Sequence, residues 1–253
     1  MGLGRIAAVV GGALCIACVP HLEPMEPIET DRPDKTESAT LVPAGMVQVE
    51  GGATTERSGA VHSVTIGELL VRVGVHPMLE VRIEPLTHTR VSSGGVPPVG
   101  GFEDLAVGVK TPLLRIAKKA QFIPDVSLLL ATSLPTGHRA FRADAAEPEA
   151  VLAAHWGLSE ALGFGANMTA RRGAEDDQRY WERGASATLG LSVSDRLGSY
   201  VEWYGTRDER DPSATHVVNG GLTYKLSSDF QLDARAGRGT NQNGGFLGLA
   251  QRW

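Results

Sequence analysis

The chain has 253 residues, 42 % of them hydrophobic, with a formal net charge of -5 and a mean hydropathy of -0.08. These values exclude a disordered chain. They also exclude a helical membrane protein, because no uncharged run of about 18 apolar residues occurs past the extreme N-terminus. The acidic balance offers nothing to nucleic acid, and the only cysteines, Cys15 and Cys18, give no disulfide framework.

Arg5 precedes an apolar run, Ile6 to Val19. That pairs a positive n-region with an h-region too short to span as a helix, so a signal peptide is expected over residues 1–18. A redox or metal role for Cys15 and Cys18 is unsuited to that apolar run. Cys18, preceded by Ala17, is a candidate lipidation site, although Cys15 stands where such sites usually carry Leu. The simpler reading is a cleaved signal in which both cysteines are small apolar residues. Residues 19–44 follow, rich in acid and proline. Pro24, Pro27, Pro33 and Pro43 prevent regular helix or central strand, so an extended periplasmic segment is expected there.

From Gly45 onward the chain alternates. Leu79, Val81 and Ile83 oppose Glu80, Arg82 and Glu84. Leu105, Val107 and Val109 oppose Asp104, Ala106 and Lys110. Leu162, Phe164, Ala166 and Met168 oppose Gly163, Gly165, Asn167 and Thr169. Phe230, Leu232, Ala234 and Ala236 oppose Gln231, Asp233 and Arg235. A period of two is a strand with one apolar and one polar face. Twelve such strands are expected, near 45–56, 61–74, 78–90, 102–114, 121–133, 149–158, 161–172, 182–193, 197–206, 215–225, 229–238 and 245–253.

A soluble sandwich alternates too, so three further features decide. Most strands are about ten residues or longer; at ~3.3 Å each and a tilt of ~40° such a strand rises roughly 25 Å, the height of an outer-membrane apolar band. Links such as Val75-His76-Pro77, Ser159-Glu160 and Ser194-Asp195-Arg196 are tight, while those after the third, fifth, seventh, ninth and eleventh strands are longer and polar. Short turns on one rim and long loops on the other are the outer-membrane pattern. Finally, the chain stops inside a strand that carries Leu247, Leu249 and Trp253 on one face. The expected fold is all-β: a single antiparallel transmembrane β-barrel of about twelve strands over residues 45–253, of outer-membrane type. Trp156, Tyr180, Trp181, Tyr200, Trp203, Tyr204, Tyr224 and Trp253 fall mostly near strand ends, as an interfacial girdle requires.

Several segments resemble the family of putative MetA-pathway of phenol degradation proteins, often called transporters. The opening run Ile28-Glu29-Thr30-Asp31-Arg32-Pro33-Asp34, then Thr36-Glu37-Ser38, carries the most specific likeness. Val42-Pro43-Ala44-Gly45, Leu79-Glu80-Val81-Arg82, Gly101-Phe102-Glu103-Asp104-Leu105, Leu134-Pro135-Thr136-Gly137 and Glu202-Trp203-Tyr204-Gly205 extend it from Ile28 to Trp253. Lys35 departs from the family's pattern, which has an aromatic or apolar residue there. The resemblance implies a barrel associated with the breakdown of aromatic compounds, with no particular substrate.

The polar strand faces place Glu50, Glu80, Arg82, Glu84, Asp104, Lys110, Glu202, Asp233 and Arg235 in the lumen. Both signs are present, so they read as ion pairs filling a narrow barrel or as a charged constriction that selects solutes. Just before the barrel, Glu29, Asp31, Arg32, Asp34 and Glu37 form a candidate plug whose acids would pair with Arg82, Lys110 and Arg235. Enzyme chemistry finds little footing. None of the seven histidines has a Ser two residues away, there is no GxSxG, and no metal-binding motif occurs. No cofactor is expected. The expected partners are outer-membrane lipids and lipopolysaccharide, the barrel-insertion machinery and a small-molecule solute. The expected function is passive movement of small solutes, aromatic or hydrophobic ones among them, across the outer membrane. The alternatives are a structural or surface-interaction barrel with a closed lumen and, further off, an outer-membrane hydrolase.

Overall fold

The computed structural model describes residues 27–32, 35–115, 123–211, 213–240 and 242–253. The expected signal peptide, Cys18 and Asp34 lie outside them. Among the described residues fourteen strands form one antiparallel sheet: β1 (Val47–Ser58), β2 (Val61–His76), β3 (Leu79–Glu84), β4 (His88–Ser93), β5 (Val96–Phe102), β6 (Leu105–Leu114), β7 (Asp125–Leu134), β8 (Glu147–Gly157), β9 (Leu162–Glu175), β10 (Gln178–Ser192), β11 (Leu197–Asp208), β12 (Ala214–Ser227), β13 (Phe230–Gly239) and β14 (Asn243–Arg252).

Twelve of these strands close the ring. From β6 to β14 each strand pairs with the next in sequence; β6 also pairs with β3, β3 with β2, β2 with β1, and β1 with β14. The seam is continued by the last residue, whose backbone N–H donates to the Val47 carbonyl at 2.8 Å and whose carbonyl accepts from Val47 at 2.9 Å. The terminal strand expected from Trp253 is thus the strand that joins the two ends of the barrel.

The remaining two strands are a hairpin: the strand expected over 78–90 ends at Glu84, and its last residues join the stretch expected as a loop to form β4 and β5. β2 is 16 residues long and serves two partners on one edge. Its Val71–His76 half pairs with β3, and its Val61–Ile66 half pairs with β4. Pro85 falls in the break between β3 and β4, where its missing N–H cannot extend the ladder. β4 and β5 turn over Gly94-Gly95, with Gly95 at a φ of +88° that glycine adopts without penalty. The link after β9 also differs from the long loop expected: β9 and β10 run on as a hairpin to Asp176-Asp177, both with positive φ.

Burial runs opposite to that of a soluble protein. Met168 and Leu247 are each 69 % exposed, while Glu50, Glu80 and Lys110 are fully buried. Along β10, Ala185, Ala187, Leu189 and Leu191 share the outer face and Ser186 is buried within. An apolar outside around a charged inside is stable only if the outside meets lipid. Of the aromatic residues expected at the interface, Trp181, Trp203, Tyr224 and Trp253 are exposed on the surface. Tyr180, Tyr200 and Tyr204 depart from that expectation: Tyr180 shares the inner face of β10 with Glu182 and is buried, and Tyr200 and Tyr204 share the inner face of β11 with Glu202.

Candidate functional site

The N-terminal segment crosses the lumen near its periplasmic end. It starts beside the β12–β13 turn, where Ile28 N–H donates to the Ser228 carbonyl at 2.7 Å. It returns to the wall at Gly45, which donates to the Gly74 carbonyl at 2.6 Å just before β1 begins. Proline and polar residues suit such a path, since the segment forms no ladder of its own and its amides must find partners on the wall.

The wall supplies them with carboxylates. Glu50 on β1 accepts from the backbone N–H groups of Asp31 (3.0 Å) and Arg32 (2.9 Å). Glu80 on β3 accepts from Val42 N–H at 2.7 Å. Glu202 on β11 accepts from Lys35 N–H (2.8 Å), Thr36 N–H (2.7 Å) and the Thr36 hydroxyl (2.6 Å), and Asn219 on β12 donates to its other oxygen at 2.6 Å. The Thr36 hydroxyl also lies 2.9 Å from Ser186 on β10. A carboxylate accepting several N–H groups is satisfied without a cation.

The opposite exchange occurs around Asp31, whose side chain is fully buried. Arg72 on β2 reaches Asp31 (3.1 Å), Glu50 (3.0 Å) and Glu80 (2.9 Å). Arg82 on β3 bonds Asp31 and lies 3.0 Å from Glu37. Lys110 on β6 reaches Asp31 at 3.1 Å and Glu37 at 3.8 Å. The cluster joins four acids (Asp31, Glu37, Glu50, Glu80) to three bases (Arg72, Arg82, Lys110). Burial alone would raise the Asp31 carboxyl, but Arg72, Lys110 and Arg82 together hold it well below the usual carboxylate range. Burial pushes the Glu37 carboxyl up to about 8, with Asp31 adding to the rise while Arg82 and Lys110 oppose it. With one proton on Glu37 the four acids and three bases balance electrically.

On the periplasmic side of the segment lies a cavity of ≈ 1160 Å³, lined by Ile28 and Leu41 of the segment and by wall residues such as Tyr200 and Arg252. A second cleft, bordered by Tyr204, Asn219, Arg235 and Glu56, holds only ≈ 20 Å³.

A family model, "Putative MetA-pathway of phenol degradation", matches residues 30–250. The chain belongs to this family. Its fold is shared with solved outer-membrane barrels at low identity. An outer membrane channel from Pseudomonas putida F1 aligns with a TM-score of 0.60 at 14 % identity, over 89 % of this chain and 100 % of that one. The KdgM porin aligns with a TM-score of 0.52 at 11 % identity, over 81 % of this chain and 98 % of that one. A comparison with curated proteins finds no match. The chain is accordingly an outer-membrane β-barrel.

The family's opening signature is the part that enters the lumen. Asp31 and Glu37 meet Arg82 and Lys110, while Arg32 pairs with Glu84 at 3.0 Å. Glu29 is exposed and contributes its backbone carbonyl, which accepts from Gln48 at 2.9 Å. Lys35, where the family's pattern has an aromatic or apolar residue, is exposed and engages the wall through its backbone, so no apolar side chain is needed there. Asp233 bonds Gln231 at 2.8 Å, and Gln231 reaches the Thr30 hydroxyl at 3.0 Å.

Two expected residues are placed differently. Arg235 does not meet the segment's acids; its guanidinium lies 5.7 Å from the Phe246 ring. Asp104 falls in the break between β5 and β6 and caps the loop after β7, accepting from Gly137 N–H (2.8 Å) and Ala143 N–H (2.9 Å). The residue that sequence reading missed is Arg72, at the centre of the ion cluster. Its signal was present: a lone charge between Val71 and Val73, on the face opposite to both.

Proposed function

We propose that this barrel is a passive channel for small solutes, aromatic and hydrophobic ones among them, and that residues 28–38 act as its plug. The observation that carries this reading is the manner in which the segment is held. Apart from the backbone bond from Ile28 N–H to the Ser228 carbonyl, the contacts that tie it to the wall are hydrogen bonds and ion pairs with polar side chains, which water can replace if the segment leaves. The likeness of fold to a channel and a porin supports the reading. The family's description, which names phenol degradation, supports the solute class. No energy-coupling motif is visible in the sequence, so movement down a gradient is the mode that fits, and we assign no catalytic role. The insertion machinery of the outer membrane would read the terminal strand with Leu247, Leu249 and Trp253.

A second reading, a structural barrel with a closed lumen, draws on one observation: the ion cluster buries Arg72 and Lys110 to 1 % exposure or less. Liposomes separate the two. Purified chain reconstituted into vesicles should pass phenol and similar small solutes faster than protein-free vesicles of the same lipid. Equal rates would favour the closed barrel.

A further inference from the structure

The outer wall carries a charge arrangement that neither the barrel fold nor the lumen explains. In the β10–β11 register Arg183 stands directly opposite Arg207. Both point outward. On β10, Glu182 turns inward to Arg171 while Arg183 follows the face of Leu189 and Leu191; on β11, Glu202 is buried while Arg207 follows the face of Val201 and Trp203. Both arginines are exposed, and among the described residues neither has a hydrogen bond or an ion pair. Like charges directly opposite on one face of a sheet repel. Nearby Glu209 is already engaged by Trp181 N–H at 2.8 Å and by Arg172 at 3.5 Å.

The height of the pair identifies what would neutralise it. Ten residues separate Arg207 from Leu197 at the periplasmic end of β11. At ~3.3 Å per residue and a tilt of ~40°, that is roughly 25 Å, one apolar band. Below Arg207 the outer face carries the exposed Trp203, which stacks on His216 at 5.8 Å, and then the exposed Val201. The two guanidiniums therefore sit at the level of the outer-leaflet headgroups, on the lipid side of the wall.

We propose that Arg183 and Arg207 form a binding site for the phosphate of an outer-leaflet glycolipid, lipid A by chemical class. Guanidinium groups bond phosphate oxygens in pairs, and one phosphate between the two converts a repulsion into two charge-assisted contacts. The acyl chains of the same lipid then lie along the apolar face beneath, which a free phosphate ion cannot do. This inference goes beyond the channel reading and does not depend on the lumen being open.

Native mass spectrometry of the full chain released from detergent tests it, with diphosphorylated lipid A and its dephosphorylated form as probes. The wild type should retain the phosphorylated lipid and not the dephosphorylated one. Retention should fall about tenfold or more in R183Q/R207Q, the loss expected for charge-assisted hydrogen bonds. R57Q, which removes an exposed arginine of β1 elsewhere on the wall, should retain the lipid as the wild type does. Inorganic phosphate in millimolar excess should leave the complex intact. Equal retention of the two lipids, wild-type retention by the double variant, an equal loss in R57Q, or displacement by inorganic phosphate would each overturn the proposal. If the double variant does not fold, the wild-type comparison of the two lipids still decides.

Discussion

On the β1–β6 side of the lumen the N-terminal segment meets three buried bases, Arg72, Arg82 and Lys110, which take up its acids. On the β10–β12 side it meets one buried acid, Glu202, whose partners are backbone amides, a threonine hydroxyl and Asn219. The first contact exchanges full charges among side chains that are mostly buried. The second satisfies one charge with neutral dipoles. Removing a member of the first leaves unpaired ions in a low-dielectric interior, whereas removing Glu202 leaves amides and a hydroxyl that water can reach if the segment lifts. One side should therefore govern the stability of the whole barrel and the other only the docking of the segment.

Arg72→Met should break the comparison most severely. It strands Asp31, Glu50 and Glu80 together, and breaking a buried pair costs about 3–5 kcal/mol. The urea midpoint of the vesicle-inserted barrel should fall accordingly; an unchanged midpoint would mean that the cluster is not closed to water. Glu202→Leu should cost less, about 1–3 kcal/mol, the range for buried donors left without an acceptor. Its effect should be local: faster proteolysis between residues 28 and 38 with the barrel's urea midpoint nearly kept. A global loss as large as that of Arg72→Met would erase the distinction between the two sides.

The smallest expected effect is in pH. Docking raises the Glu37 carboxyl from its ordinary 4.5 to about 8, so the docked state binds a proton that the free segment releases between those values. The proton's contribution to docking is complete below the lower value and is lost as pH rises through the upper one. The charges facing this group are Asp31 within the segment, Arg82 of β3 and Lys110 of β6. Channel openings should be more frequent near about pH 9 than near about pH 6 in the wild type, and Glu37→Gln should remove the difference. A wild type equally open at both values would show that Glu37 does not change its ionisation on docking.

Much of the barrel was legible in sequence because period-two alternation and a lipid-facing wall impose the same pattern on every strand. Trp253 could be placed on a closing strand for that reason. The β4–β5 hairpin was not legible from length alone, since the polar stretch Val91-Ser92-Ser93-Gly94-Gly95 fits a loop as well as a turn between short strands. The ion cluster was legible in part. The segment's acids implied basic partners, and alternation put Arg82 and Lys110 on the inner face. Alternation cannot say how far along the barrel axis a residue lies, and that is why Arg235, also on an inner face, was expected beside the segment yet lies against Phe246. Arg72 escaped for the opposite reason: its neighbours Leu69, Leu70, Val71 and Val73 blur the alternation into an apolar run.

The central claim, that residues 28–38 occlude a lumen that is otherwise a conduit, is tested most directly by single-channel conductance in a planar bilayer. The native chain and a chain lacking residues 28–38 would be recorded under the same salt. The deletion should give a larger and steadier unitary conductance than the native chain. The same conductance in both would contradict the claim and leave the segment as part of the barrel's structural core.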